Sequence, residues 1–212
     1  MAIYRRQLPH YHIPEADYFI TYGLAGALPY RAVRQLDAEF ERRLQPLGNP
    51  LVGQARRKKS GMEEAHRRIR EDYLDRVRNG PRWLAAADRA SVVKDSLHFI
   101  EDRQGYWRIW CYCIMPNHVH LVCTLQKSAP PLERILQSHK SFTARMCNRL
   151  LGRSGPFWQE ESFDRLLRND ADLIAKVEYT LLNPVQAGLV KHWQEWSFSY
   201  LCPELQDRMR IE

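Results

Sequence analysis

Two kinds of hydrophobic pattern alternate along the chain, and they predict strands separated by helices. Residues 17–24 (DYFITYGL) are rich in aromatic and β-branched side chains, which favour the extended backbone of a strand. Similar composition predicts three later strands, at residues 106–114, 119–125 and 163–167. Pro116 and Asn117 separate the second strand from the third, and this pair predicts the turn of a hairpin.

Apolar positions spaced three or four residues apart predict amphipathic helices in other segments. Residues 30–44 have such a face, formed by Val33, Leu36, Phe40 and Leu44. The other predicted helices cover residues 83–101, 130–150 and 170–183. Asp170 is the expected N-cap of the last helix, and Pro184 is expected to end it. The aromatic segment at residues 196–200 is expected to be a loop or a short strand.

This order of elements predicts an α+β fold with a ferredoxin-like antiparallel sheet (βαββαβ). The helix at residues 170–183 is additional to that unit, at its C-terminal end. A further helix at residues 62–77 is highly charged and has few apolar anchors, so we interpret residues 42–82 as a charged helical insertion. The 212 residues are expected to form a single domain, 1–212, that includes this insertion.

The composition excludes several classes of protein. With 44% hydrophobic and 27% charged residues, the chain is neither disordered nor collagen-like. Its longest stretch without Lys, Arg, Asp or Glu, residues 109–126, contains a proline, an asparagine and two histidines, so we expect no membrane span. An odd count of five cysteines, without a CxxC pair or a visible export signal, predicts reduced thiols in a cytoplasmic protein.

Positive charge is concentrated in one part of the chain. Residues 53–82 carry ten Lys and Arg against five Asp and Glu, which is +5 of the total net charge of +7. The run Arg56-Arg57-Lys58-Lys59 opens this basic segment. A charge run of this kind is often only a solvated face, but in a protein with a pI near 9.3 it favours a polyanionic partner, above all nucleic acid.

Two small groups of residues are candidates for chemistry. His118 and His120 flank Val119 in a predicted strand, so both imidazoles point to the same face and could supply half of a divalent metal site. Tyr179 and Asn183 are four residues apart in a predicted helix and share one of its faces. Each group also has an ordinary interpretation, as exposed edge histidines, a half-buried core tyrosine and a helix-terminal asparagine.

Taken together, these segments resemble a known family. The sequence MPNHVHLV at residues 115–122, followed by VEYTLLNPVQAGLV at residues 177–190, resembles the REP-associated tyrosine transposases, single-tyrosine members of the HUH endonucleases. YFITYGLAGALP at 18–29 and GPFWQEESFDRLLRND at 155–170 are similar to the first strand of the family and to the segment entering its catalytic helix. The resemblance covers roughly residues 18–29 and 83–199, and residues 42–82 have no counterpart.

The resemblance implies a function and a set of site residues. His118 and His120 match the histidine pair that binds a divalent cation, Asn183 matches the third metal ligand, and Tyr179 matches the nucleophile. The implied activity is a metal-dependent endonuclease and strand transferase, using Mg²⁺ or Mn²⁺. It cleaves single-stranded DNA near palindromic repeat hairpins through a 5′-phosphotyrosine intermediate. The protein is expected to act as a monomer or a homodimer.

Several residues flank this predicted site. Lys140, Arg145, Arg165 and Arg168 are candidates for binding the DNA backbone, although each could equally be an ordinary surface charge. Trp158 could stack on a base, but a core position is the stronger interpretation. Cys111 and Cys113 precede the histidines and are interpreted as sheet residues, with thiol ligation as a minor alternative.

Two other functions remain open at the level of sequence. The first is a non-catalytic, domesticated protein that binds hairpin DNA through the same fold and forms no covalent adduct. The second is a metal-dependent hydrolase of some other phosphoester, which would turn over without an adduct and would tolerate Tyr179→Phe. The presence of His118, His120, Tyr179 and Asn183 together favours the transposase, because a protein that only binds DNA does not need all four.

Overall fold

A computed structural model describes residues 3–5, 9–11, 13–27, 80–160 and 162–206, together with isolated helical positions at 42, 65 and 69. The chain divides into two compact units, residues 26–81 and the rest of the chain. The helix predicted at 30–44 and the charged helix predicted at 62–77 fall in the smaller unit, almost entirely outside the described residues. The proposed insertion boundaries therefore stay a prediction, and the description below concerns the larger unit.

Five strands of the larger unit form one sheet in which all neighbours are antiparallel. They are β3 (Asp17–Gly23), β4 (Trp107–Ile114), β5 (His118–Leu125), β6 (Phe163–Leu166) and β7 (Ser199–Leu201), in the spatial order β6-β3-β5-β4-β7. A separate two-stranded hairpin consists of β1 (Ile3–Arg5) and β2 (Pro9–Tyr11). All four predicted strands are present, and the predicted antiparallel α+β class is confirmed.

Four α-helices accompany the sheet in the described residues: α1 (Ala87–Phe99), α2 (Leu132–Leu150), α3 (Asp170–Gln186) and the short α4 (Pro203–Gln206). The helix predicted at 83–101 is divided. It begins as a 3₁₀ turn at Trp83–Ala85, continues as α1, and ends in a π-helical turn at Ile100–Gln104.

The ends of α3 differ from the prediction. Asn169, not Asp170, is the N-cap, because its side-chain oxygen accepts the backbone N–H of Asp172 at 2.9 Å while Asp170 already lies in the helix. Pro184 does not end the helix, which continues to Gln186. A proline so near the helix end removes only one backbone donor, and Pro184 is buried in the packed structure.

Helices cover both faces of the sheet. On one face, Tyr22 of β3 and Ser96 of α1 both bond to His139 of α2, which ties the two helices to the sheet. On the other face, the apolar stripe of α3 packs on the sheet in a buried cluster that includes Phe19, Cys111, Val122, Leu173, Val177 and Leu181. Because side chains alternate along a strand, every second residue of β5, counted from Val122, also points to this second face.

The described chain contains no helix long and apolar enough to span a lipid bilayer. All five cysteines are buried and free of disulfide bonds. Burial raises the pKa of Cys147 to about 11, and it raises the pKa of Cys111 and Cys123 as well, so these thiols are protonated at neutral pH.

Candidate active site

The two histidines of the HVH segment meet on the α3 side of the sheet. His118 and His120 are both fully buried, and their Nε2 atoms are 3.0 Å apart. The register of β5 against β3 places His118 opposite Gly23 and His120 opposite Thr21, at the strand end nearest the hairpin turn. The predicted common face of the two imidazoles is therefore present, but their burial differs from the exposed-edge interpretation.

Contacts behind the imidazoles orient both rings. His118 Nδ1 lies 2.8 Å from Asn117 Oδ1, and His120 Nδ1 lies 2.8 Å from Thr21 Oγ1. Since Asn117 Oδ1 can only accept, this contact favours a hydrogen on His118 Nδ1 and directs Nε2 towards His120. Thr21 can accept from His120 in the same way. Hydrogen bonds of this kind fix the tautomer of metal-binding histidines.

Asn183 joins the histidine pair from α3. Its Nδ2 atom is 3.3 Å from His120 Nε2, and the residue is almost wholly buried. Its Oδ1 atom is buried without a hydrogen-bond partner, although a buried carbonyl oxygen ordinarily has one. Rotation of the amide by half a turn would bring this oxygen to the histidine nitrogens. The predicted association of Asn183 with the histidine pair is thus seen in the structure.

These three side chains fit a divalent cation. Neighbouring donors around an octahedral ion with bonds of about 2.1 Å lie about 3.0 Å apart, which matches the separation of the two Nε2 atoms. Two imidazoles and one amide oxygen are neutral, so they leave the full charge of the ion available, and a mixed N/O donor set suits Mn²⁺ and Mg²⁺. The described residues contain no group of three or more His, Cys, Asp or Glu side chains placed to hold an ion. The amide oxygen of Asn183 would therefore be the third protein donor to an ion held here.

Tyr179 is placed beside the histidines by the same helix. Its ring is half-buried and meets the ring of His120 edge-on, with centroids 5.4 Å apart. The ring of Phe19, from β3, stacks on His120 and contacts Tyr179 by its edge. Lys176 completes the group, with its Nζ atom 4.5 Å from the centre of the Phe19 ring and 4.7 Å from that of Tyr179. We call His118, His120, Asn183, Tyr179 and Lys176 the histidine–tyrosine site.

Sequence analysis missed the supporting residues of this site. Lys176, Tyr179 and Asn183 follow the helical spacing i, i+3, i+7, so the position of Lys176 could have been read from the helix that carries Tyr179. Thr21 and Phe19 could not have been found in that way. They lie about a hundred residues before His120, and only the pairing of β3 with β5 brings them to it.

The four predicted DNA-binding residues have different surroundings. The Lys140 ammonium donates to the carbonyl oxygens of Gln159 and Glu160 and to Ser162 Oγ, at 2.6, 2.9 and 3.1 Å. Arg165 forms an ion pair with Asp172, in which its Nη2 atom donates to both carboxylate oxygens, at 2.7 and 3.0 Å. Arg145 lies over the Phe142 ring and Arg168 is exposed. Contact between DNA and any of the four stays a prediction.

The remaining candidates are core residues. Trp158 is buried, packs edge-on against Tyr22, and donates its indole N–H to Thr143 Oγ1 at 2.9 Å, which agrees with the preferred core interpretation. Cys111 lies in the apolar cluster under α3. Cys113 is the partner of His120 on the neighbouring strand, where its sulfur accepts from Ser199 Oγ at 3.6 Å.

Comparison with known proteins supports the predicted family. No protein-family model matches the chain. A Haemophilus influenzae protein named as a REP-associated tyrosine transposase is 31% identical over 96 residues, which are 41% of this chain and 54% of that protein. The REP-associated tyrosine transposase of Escherichia coli K12 is 26% identical over 97 residues, which are 46% of this chain and 56% of that protein.

The chain is similar to REP-associated tyrosine transposases. It spans about half the length of the curated relatives that it matches. A solved structure of the REP-associated tyrosine transposase bound to a REP hairpin matches with a TM-score of 0.56 and 18% identity, covering 94% of this chain and 82% of that one. The α+β fold with its five-stranded antiparallel sheet is therefore the fold of that transposase. The resemblance inferred from the sequence motifs is confirmed.

Proposed function

We propose that this chain is a metal-dependent endonuclease and strand transferase for single-stranded DNA near palindromic repeat hairpins. The observation that carries the proposal is the convergence of the two Nε2 atoms, 3.0 Å apart, with Asn183 and Tyr179 from one helix. The curated relatives are named transposases, and the solved structure of the same fold is bound to a REP hairpin, which supports hairpin DNA as the partner.

The metal requirement is part of the proposal. His118, His120 and Asn183 would hold Mg²⁺ or Mn²⁺, which would withdraw negative charge from a non-bridging oxygen of the scissile phosphate. Thr21 and Asn117 hold the two rings in the required orientation. The unpartnered Oδ1 of Asn183 supports a role as ligand, because an ion would satisfy an atom that is otherwise buried without a partner.

Tyr179 would act as the nucleophile. Its Oη atom attacks the phosphorus, and the bond from phosphorus to the 3′ oxygen breaks. The phenol loses its proton as the new bond forms, and the departing 3′ oxygen takes up a proton to become a free 3′-OH. The 5′ phosphate stays on Tyr179 as a diester, which conserves the energy of the broken bond. The cation of Lys176 lies where it can balance negative charge on the phenolic oxygen and the phosphate.

Strand transfer follows from the same intermediate. A 3′-OH from a second strand end attacks the phosphotyrosine, a new P–O3′ bond forms, and the tyrosine oxygen leaves and regains its proton. No nucleoside triphosphate is needed, and the sequence contains no GxxxxGK[ST] phosphate loop.

A covalent-adduct assay tests the proposal. The protein is mixed with labelled single-stranded hairpin DNA, taken from inverted repeats beside its coding region, and with Mn²⁺ or Mg²⁺. We expect a slow band on a denaturing gel that is absent with EDTA, in Tyr179→Phe and in His120→Ala. Hairpin binding should persist in all of these samples, because backbone contacts dominate affinity. Tyr106→Phe is the matched control, since Tyr106 is half-buried at the other end of the sheet.

Other outcomes would point to the alternatives. An adduct that persists in Tyr179→Phe would show that another residue is the nucleophile. Hairpin binding with no adduct under any condition would make the chain a non-catalytic hairpin-binding protein. Metal-dependent turnover of a phosphoester without an adduct, retained in Tyr179→Phe, would instead identify a hydrolase.

A further inference from the structure

Phe19 is an apolar residue in contact with three members of the histidine–tyrosine site. The centre of its ring lies 5.4 Å from that of His120, with the two planes 18° apart, and 5.8 Å from that of Tyr179, with the planes 83° apart. The ammonium of Lys176 lies 4.5 Å from the centre of the same ring. The Phe19 side chain is almost completely buried. Its ring therefore joins the strand that carries the histidines to the helix that carries Tyr179.

The register of the sheet fixes the place of this ring. Phe19 of β3 pairs with Val122 of β5. Thr21, two residues further along β3, pairs with His120, so Phe19 and His120 are diagonal neighbours on the α3 face of the sheet. At the distance of a diagonal pair, aromatic and long side chains still touch. A leucine at position 19 would fill part of the apolar cluster under α3, but it has no flat face to stack on the imidazole.

Two aromatic rings define the position of the Lys176 ammonium. It lies over the faces of Phe19 and Tyr179, 4.5 and 4.7 Å from the two ring centres, and these rings are almost perpendicular to each other. The negative face of an aromatic ring attracts a cation, more strongly where water is partly excluded, and Lys176 is half-buried. Because the stem of a lysine is flexible, the corner between the two rings restrains a cation that would move freely on an open helix surface.

We propose that Phe19 is a positioning residue, whose ring holds the Lys176 ammonium beside Tyr179 and so raises the rate at which this tyrosine becomes joined to DNA. The proposal rests on the proposed function, since it concerns the attack of Tyr179 on a phosphate. The attraction between the ammonium and the charge that builds up in this attack weakens as their separation grows. A phenyl ring has no group that binds a phosphate, so Phe19 acts only through Lys176.

The competing interpretation of Phe19 is an ordinary core residue. It belongs to the apolar cluster between α3 and the sheet, and a core phenylalanine acts through its shape and volume. A residue that positions a cation acts through the charge distribution of its ring. The two roles can be separated, because fluorine atoms withdraw negative charge from the face of the ring and change its shape very little.

Fluorinated phenylalanines at position 19 provide the test. Mono-, di- and trifluorophenylalanine are incorporated into the full chain, and the single-turnover rate of adduct formation is measured with hairpin DNA and Mn²⁺. We expect the rate to fall stepwise, to about one fifth with the trifluorinated ring, while hairpin affinity changes less than about twofold. The same replacements at Phe99, which is exposed on α1, are the matched control and should leave the rate unchanged.

A second comparison shows whether the effect passes through the lysine. Lys176→Met removes the charge and keeps a long, flexible side chain. In this background, the fluorinated rings at position 19 should no longer lower the rate, because the cation that they act on is absent. A rate that does not respond to fluorination at position 19, or that responds equally with and without the Lys176 charge, would overturn the proposal.

Nuclear magnetic resonance tests the contact in the absence of DNA. Ring currents of Phe19 and Tyr179 should shift the resonances of the Lys176 ε-methylene group upfield, and Phe19→Leu should remove part of this shift. Lys191, exposed beyond the end of α3, is the reference and should keep its resonances. Lys176 resonances that are the same in the unmodified chain and in Phe19→Leu would overturn the proposal.

The two kinds of measurement separate this proposal from the proposed function. An adduct whose rate ignores fluorination at position 19 defeats the positioning role alone. A Lys176 shift that depends on Phe19, in a chain that forms no adduct with any hairpin, supports the hold of the ring on the ammonium and defeats the proposed chemistry.

Discussion

Lys176 is the residue whose contribution to the histidine–tyrosine site is easiest to isolate. It contacts the faces of Phe19 and Tyr179 through its ammonium group, and it is half-buried on α3. In partly desolvated surroundings a charge interacts more strongly with its neighbours than in water. In the proposed reaction, Lys176 is therefore placed to stabilise the negative charge that would accumulate on the phosphate as Tyr179 attacks.

Replacing Lys176 by alanine should slow adduct formation at least about tenfold, because a fixed cation beside the developing charge is lost. Hairpin affinity should fall much less, since one backbone contact among several is removed. Single-turnover adduct kinetics and anisotropy measure the two quantities. Lys191→Ala, an exposed lysine beyond the end of α3, is the control and should change neither. If Lys176→Ala lowers affinity and rate by the same factor, Lys176 only attracts DNA.

The residues of the candidate site were partly predictable from the sequence. His118, His120, Tyr179 and Asn183 were identified from spacing and from the family resemblance, and the structure brings all four together. The orienting partners Thr21 and Asn117 were not identified, because a hydroxyl or an amide has no distinctive sequence pattern. Their role depends on which atom faces which ring.

Buried polar contacts connect the elements on the other face of the sheet. His139 is completely buried and bonds through its two nitrogens to Tyr22 Oη, at 2.7 Å, and to Ser96 Oγ, at 2.9 Å. One side chain thereby links β3, α1 and α2. Burial, with a smaller contribution from the nearby charge of Lys140, lowers the pKa of His139 to about 3. The folded protein therefore keeps this imidazole neutral.

The free energy of unfolding should consequently depend on pH through His139. The unfolded chain takes up a proton below a pKa of about 6.5, whereas the folded chain does so only near 3. The stabilisation is complete above pH 6.5 and is lost as the pH falls towards 3, by at most about 1.4 kcal/mol per pH unit. Urea unfolding at several pH values measures this change in the free energy of unfolding.

The variant His139→Gln provides the comparison for this effect. It should be less stable than the unmodified chain at pH 7, and the difference should shrink as the pH falls, because the other titrating groups are common to both proteins. Parallel stability curves from pH 7 to pH 4 would contradict a neutral buried His139.

Element boundaries were predicted well where the periodicity was strong. The strands β3 to β6 and the helices α1 to α3 begin and end within a few residues of the predicted positions. The errors lie at the ends of helices, at Asn169 and Pro184, where side-chain capping and tertiary burial compete with local preference. The hairpin of β1 and β2 was not predicted.

At the scale of the whole molecule, positive charge would be the main determinant of the proposed attraction to DNA. The segment at residues 53–82 carries most of the net charge of +7. Affinity for a polyanion depends on salt in proportion to the number of phosphates that the protein neutralises. The basic run Arg56-Arg57-Lys58-Lys59 can therefore be tested by its effect on this dependence.

Deleting residues 46–61 should weaken hairpin binding and flatten its salt dependence. Each lost phosphate contact should reduce the slope of log affinity against log salt by about 0.7 for single-stranded DNA. Anisotropy titrations between low and moderate salt measure the slope, and replacement of the four basic residues by glutamine controls for the change in chain length. An unchanged slope in both variants would mean that this run is only a solvated face.

The sequence by itself determined the α+β class, the strands β3 to β6, the helices α1 to α3, and the candidate residues His118, His120, Tyr179 and Asn183. These properties depend on local periodicity or on motifs of a few adjacent residues, and both can be identified from the amino-acid sequence. The family resemblance added roles to residues whose spacing alone left both functional and ordinary interpretations open.

Only the tertiary structure decided which of these residues meet, and with which partners. The pairing of β3 with β5 brings Thr21 to His120, and the packing of α3 brings Asn183 and Tyr179 to the same ring. It also engages Lys140 and Arg165 with oxygens of the protein itself. Such contacts join residues far apart in sequence. They follow from strand register and the packing of apolar faces, which no local pattern specifies.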